Sequence, residues 1–157
     1  MKNILLLAFA ALVTSAAWGG GPTPKVAEAF EKDFGKTSNV NWHEVANGYT
    51  AFFTRGSIHH RVVYNNAGVL IHSLRYYNAE ELPSLIRSKL NRRYPDKTIF
   101  GVTEDASQDE LSYQIILESA KSWTIIHSDA VGNLFIKEEQ KKQLATAVSK
   151  TDQTALH

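Results

Sequence analysis

Apolar side chains between Pro22 and Phe34 recur at Val26, Phe30 and Phe34, four apart, with Ala27 beside them and Lys25, Glu28, Glu31 and Lys32 outside the stripe. That spacing predicts one buried face of a helix. Pro24 suits a first turn and Gly35 a stop. The period then changes. The runs Val40–Val45, Tyr49–Arg55, Ile58–Tyr64 and Val69–Tyr77 are separated by Asn47-Gly48, Gly56-Ser57 and Asn65–Gly68. These are tight-turn signals between short strands, so an antiparallel meander is expected. From Asn78 to Tyr94 the helical spacing returns, with Leu82, Ile86, Leu90 and Tyr94 four apart and Leu85 alongside. Asn78 with Glu81 is a candidate capping box, and Pro83 suits a slightly later start. Beyond Pro95, strands are expected at Thr98–Glu104, Leu111–Glu118, Ser122–Ser128 and Asn133–Glu138.

The two passes superpose. Phe30 corresponds to Leu90 and Phe34 to Tyr94. Tyr49, Ala51 and Phe53 correspond to Tyr113, Ile115 and Leu117, Val62-Val63-Tyr64 to Ile125-Ile126-His127, and Gly68 to Gly132. The unit is a helix followed by a four-strand antiparallel meander, written at about residues 22–77 and again at 78–137. One such unit alone buries little surface. Two side by side give an α+β fold, a tandem repeat with both helices packed on one face of a shared sheet. The other face is left open.

Before the first helix, Lys2 is followed by the unbroken apolar run Ile4–Val13, then by small side chains at Ser15 and Ala17. This is the pattern of an export signal over residues 1–17, cleaved before Trp18. The run is shorter than the ~20 residues needed to span a bilayer. A single domain over 18–137 and a polar tail over 138–157 complete the expected organisation. The chain has no cysteine, so an ordinary core must hold it together. Loss of Lys2 with the leader leaves sixteen basic against sixteen acidic side chains. That balance argues against a nucleic-acid partner.

Six histidines raise the question of a metal: His43, His59, His60, His72, His127 and His157. His60 and His72 lie on consecutive expected strands, but a one-residue slip would separate them, and no HxxxH or His/Cys cluster accompanies them. No G-x-S-x-G elbow or other placed nucleophile is present, and Gly19-Gly20-Gly21 has neither a preceding strand nor a following Lys-Ser/Thr. Neither catalysis nor a cofactor is indicated. The aromatic pattern is more informative. If Tyr49, Ala51, Phe53 and their counterparts face the helices, Phe52 and Ile116 face away. His60 and Tyr64 share a phase that aligns with Trp123 and His127. Amphipathic rings on an open sheet suit binding, so Phe52, His60, Tyr64, Ile116, Trp123 and His127 are the candidate binding residues. The competing reading places these positions in the core.

The ordered set of Phe30-x-x-x-Phe34, Val40-x-Trp42, Tyr49-x-Ala51-x-Phe53, Asn65–Gly68, Leu82-Pro83 and Tyr94-Pro95 resembles the β-lactamase-inhibitor-like, PepSY-like domain proteins of the bacterial envelope. The resemblance runs from about Pro22 to Lys137. It implies a tandem α–β meander in an exported, periplasmic or secreted protein, and it carries no catalytic residues. The second half departs from the motif, with no tryptophan matching Trp42 and a polar loop near Glu104–Glu110 in place of Asn-Gly. The function expected is a non-enzymatic module engaging an envelope or extracellular protein or peptide through the open sheet face. The alternative is a small-ligand or metal-binding protein using the sheet histidines.

Overall fold

The structure, a computed structural model, describes residues 21–142. The expected leader and its cleavage site, and the tail beyond Lys142, lie outside them. Helix α1 (Pro24–Phe34) begins with Thr23, whose side chain accepts a hydrogen bond from the Val26 N–H, and Pro24 sits in its first turn. Its C-cap is Gly35, at φ 65°, where a side chain would be strained. Four strands follow: β1 (Asn41–Val45), β2 (Gly48–Arg55), β3 (Ile58–Asn65) and β4 (Leu70–Tyr77). A 3₁₀ turn over Ala79–Glu81 leads into α2 (Ser84–Arg93), and then come β5 (Thr98–Ser107), β6 (Leu111–Glu118), β7 (Ser122–Asp129) and β8 (Leu134–Lys141). The expected capping box at Asn78 is not formed, since its side chain makes no cap bond. Pro83 stands immediately before α2 instead, where its missing N–H costs nothing.

All eight strands join one antiparallel sheet in chain order. Its alternate residues sort into two phases, because partners across a ladder share a face. One phase carries the core. Val26 and Phe30 of α1 pack with Tyr49, Ala51, Phe53, Val62 and Tyr64. Leu82, Ile86 and Leu90 pack with Tyr77, Val102, Tyr113, Ile115, Leu117 and Ile126. Phe30 is a hub, with ring centroids 5.2 Å from Phe34, 5.2 Å from Trp42 and 5.1 Å from Phe53.

The β3–β4 and β7–β8 turns are built alike. The Asn65 Oδ1 accepts from the Ala67 and Val69 N–H groups, and the Asp129 Oδ1 accepts from those of Val131 and Asn133. Gly68 (φ 74°) and Gly132 (φ 80°) supply the left-handed residue in each. Each also lies against its neighbouring helix: a Cβ on Gly68 would sit 3.3 Å from the Ala29 Cβ, and one on Gly132 3.5 Å from the Ile86 Cγ1.

Two sequence expectations change. Strand β8 continues to Lys141, so residues 138–141 are paired with β7 rather than being part of the tail. An edge strand tolerates the Lys-Glu-Glu-Gln-Lys composition that read as tail. The third-strand alignment also slips by one. Val62 is buried and its structural counterpart is Ile126, not Ile125; the consecutive β-branched residues in both strands hid the alternation.

Candidate functional site

The phase opposite the core starts with Phe52, whose cross-strand row runs through Arg61, Leu74, Asp105 and Ser112. From Ser112 the same phase of β6 reaches Gln114 and Ile116, which pair with His127 and Ile125 of β7, while Glu118 pairs with Trp123. Of the six candidate binding residues, four therefore share this outer phase: Phe52, Ile116, Trp123 and His127. They form two groups. Phe52 lies on β2 and the others on β6 and β7, about 19 Å and about 24 Å away across the strands at the usual spacing.

The other two candidates stand in the core phase. Tyr64 is fully buried, and its hydroxyl donates to the Asp33 Oδ2 at 2.8 Å. Burial first, and then that bond, raise its pKa. His60 faces Phe53, with rings stacked at 4.6 Å and an interplanar angle of 3°. The one-residue slip described above is the cause, since a shift of one reverses the face of every side chain.

The β3–β4 register decides the histidine pairing. His60 pairs with Arg75, whereas His72 pairs with Val63 in the opposite phase, so the two imidazoles lie on opposite faces. His72 instead meets Asp105, Nε2 to Oδ1 at 2.6 Å. Among the described residues, no group of three His, Asp or Glu side chains is placed to hold a metal ion.

Each ring group has a cationic companion. The Arg61 guanidinium stands 5.7 Å from the Phe52 ring centroid, and His43 packs edge-on to the same ring at 5.4 Å. Lys142 lies 4.3 Å from the Trp123 centroid and also bonds Glu118. The sequence reading missed Phe100, whose ring meets Trp123 at 4.8 Å and is 59% exposed. The pairing irregularity between Ile99 and Gly101 displaces it from simple alternation, so only the neighbouring glycine hinted at its placement. Tyr76 was likewise missed and stands exposed beside His59.

On the core side, β4 and β5 are joined by a polar cluster. Arg75 bonds Glu104 at 2.9 Å, and the Tyr77 hydroxyl donates to the same carboxylate at 2.7 Å. His60 adjoins this cluster, and its Nδ1 is buried without a partner. Burial, then the charges of Arg75 and Arg55, hold its pKa below the ordinary 6.5, with Glu104 opposing and His59 adding slightly. The unfolded chain then binds more protons than the folded one. Stability is full above the unfolded value of 6.5 and falls as pH drops through it toward the folded value. Denaturant midpoints measured from pH 7.5 down to pH 5 should fall for the native chain and fall less for His60→Leu. Equal slopes would assign the acid sensitivity to other groups.

No protein-family model matches the chain, and no curated protein sequence matches it. Solved structures do. A BLIP-like protein of Bacteroides fragilis superposes with a TM-score of 0.58 at 14% identity, covering 86% of this chain and 92% of its own. A candidate periplasmic protein of Bacteroides eggerthii gives a TM-score of 0.58 at 15% identity, covering 78% and 90%. A DUF2874 family protein of Bacteroides ovatus gives 0.57 at 16%, covering 78% and 89%. The fold is thus that of BLIP-like and DUF2874 proteins.

Proposed function

We propose that this chain is an exported, non-catalytic binding module of the bacterial envelope, engaging a protein or peptide through the outer face of its sheet. One observation carries the reading: two ring groups, around Phe52 on β2 and around Trp123 on β7, occupy one phase of one sheet five strand spacings, about 24 Å, apart. That separation exceeds the reach of a small ligand and suits an extended segment or a folded partner. Exposed rings flanked by cations are the composition that anchors interfaces. The fold supports the assignment, because BLIP-like and candidate periplasmic proteins share it.

The architecture belongs to the same proposal. The chain is a tandem repeat of helix plus four strands, with both helices on the face opposite the site. In support, the row His60–Arg75–Glu104–Tyr113 crosses from one half to the other in the core phase, and the two Asn/Asp–Gly turns share their hydrogen bonds.

Affinity capture from envelope extract tests the function, using protein beginning at Trp18 beside a Phe52→Ala/Trp123→Ala variant whose fold is checked by circular dichroism. A partner held by the first and lost by the second is the expected result. Equal retention by both would move the site off this face.

A further inference from the structure

A hollow of about 460 Å³ opens at the β2–β3 end of the outer face, lined in part by Asn39, Phe52, Thr54, His59, Arg61 and Tyr76. Two successive rungs of the outer phase build it, and Ser38 with Phe53 and His60 of the rung between them complete its lining. Phe52 pairs with Arg61 on one, and Thr54 with His59 and His59 with Tyr76 on the next. Among the described residues no carboxylate lines it. Among the described residues the ion pairs are His72–Asp105, Arg75–Glu104, Lys97–Glu139 and Lys142–Glu118, and Arg61 joins none of them. Its guanidinium is exposed and poised over the Phe52 ring. The Thr54 Oγ1 stands 3.0 Å from the His59 Nδ1. A hydroxyl that donates there leaves the proton on Nε2, a second donor for the same hollow. Phe52 and Tyr76, each 38% exposed, supply apolar walls.

From this arrangement we infer that the hollow is a receptor for an acidic side chain of the partner, an Asp or Glu flanked by an apolar residue, with Arg61 taking the carboxylate. The inference rests on the outer face being the binding surface. Charge complementarity selects the occupant. An unpaired guanidinium offers a planar fork of donors that fits a carboxylate, while the adjoining rings fit an apolar neighbour. The second ring group differs on this point, because Lys142 beside Trp123 already has the Glu118 carboxylate.

The test is an amide-shift titration of the protein beginning at Trp18 with acetyl-Phe-Glu-Phe-amide and its Gln counterpart, repeated on Arg61→Gln. The expected result is shifts clustered at Phe52, His59, Arg61 and Tyr76 for the Glu peptide. Affinity should drop about tenfold on changing Glu to Gln or Arg61 to Gln, the size expected for loss of one charge-assisted bond. Equal affinity of the Glu and Gln peptides at those residues would overturn the carboxylate assignment and leave the face as a binding surface. Shifts confined to other parts of the chain, or none, would overturn the hollow as a receptor. The broader reading would then stand or fall on the Phe52/Trp123 capture experiment alone.

Discussion

Phe30→Ala is expected to destabilise the protein by about 3–5 kcal/mol, the range for truncating a buried aromatic residue. The figure should fall at the upper end because the ring is shared. Phe34, Trp42, Phe53 and Tyr64 all approach Phe30 in tilted or edge-on geometry, and such pairs add to simple area burial. Helix α1 is eleven residues long, too short to persist in isolation. Val26 and Phe30 are its buried residues, so losing one of them removes much of its hold on β2 and β3. Equilibrium urea unfolding measures the loss. A change under about 1 kcal/mol would mean that the cluster refills the space, and that the hub is less central than its contacts indicate.

Gly48→Ala is expected to cost about 3 kcal/mol, at the high end for overpacking. Gly48 is not among the glycines at positive φ, so backbone conformation does not explain it. Space does. A Cβ there would lie 1.9 Å from the Tyr64 carbonyl oxygen and 2.8 Å from the Asn65 Cα. Both obstacles are backbone, and neither can rotate away. The β2 and β3 chains must separate locally, breaking the pairing of Gly48 with Asn65. Thermal unfolding, with Gly56→Ala as control, checks the mechanism. Gly56 has open space but φ 58°, so its cost is conformational and smaller, about 1 kcal/mol. Equal losses at the two sites would remove the steric argument.

Legibility in the sequence followed the strength of each periodic signal. Val26, Phe30 and Phe34 stand out at helical spacing between polar residues, and α1 lies where they indicate. Asn65–Gly68 and Asp129–Gly132 show their turns because only a glycine accommodates φ near 74° or 80° without strain. The outer-face rings were legible where alternation was clean. Phe52 sits between the buried Ala51 and Phe53 phase, so its direction followed from parity. In β3 and β7 parity failed. Val62-Val63 and Ile125-Ile126 offer β-branched side chains to both faces, and only the ladder distinguishes the buried member. Tyr64 and His60 were displaced from the candidate site by that ambiguity. Phe100 and Tyr76 were hidden for another reason: their role depends on strands brought together by register, and single-strand patterns carry no register.

The uncrossed order of the sheet bears on how the molecule assembles. Each strand pairs only with its neighbours along the chain, so most ladders close a short loop, and the entropic cost of each closure is small. A topology of this kind has low contact order for a sheet protein, and low contact order favours rapid folding. The exception is the join of β4 to β5, which must wait for the segment carrying α2 to fold back. Hairpin growth within β1–β4 and within β5–β8 can proceed independently, and union of the two at Arg75 and Glu104 is the step on which the full sheet depends. A slow refolding phase that disappears when the β4–β5 pairing is pre-formed by a cross-link would be its kinetic signature.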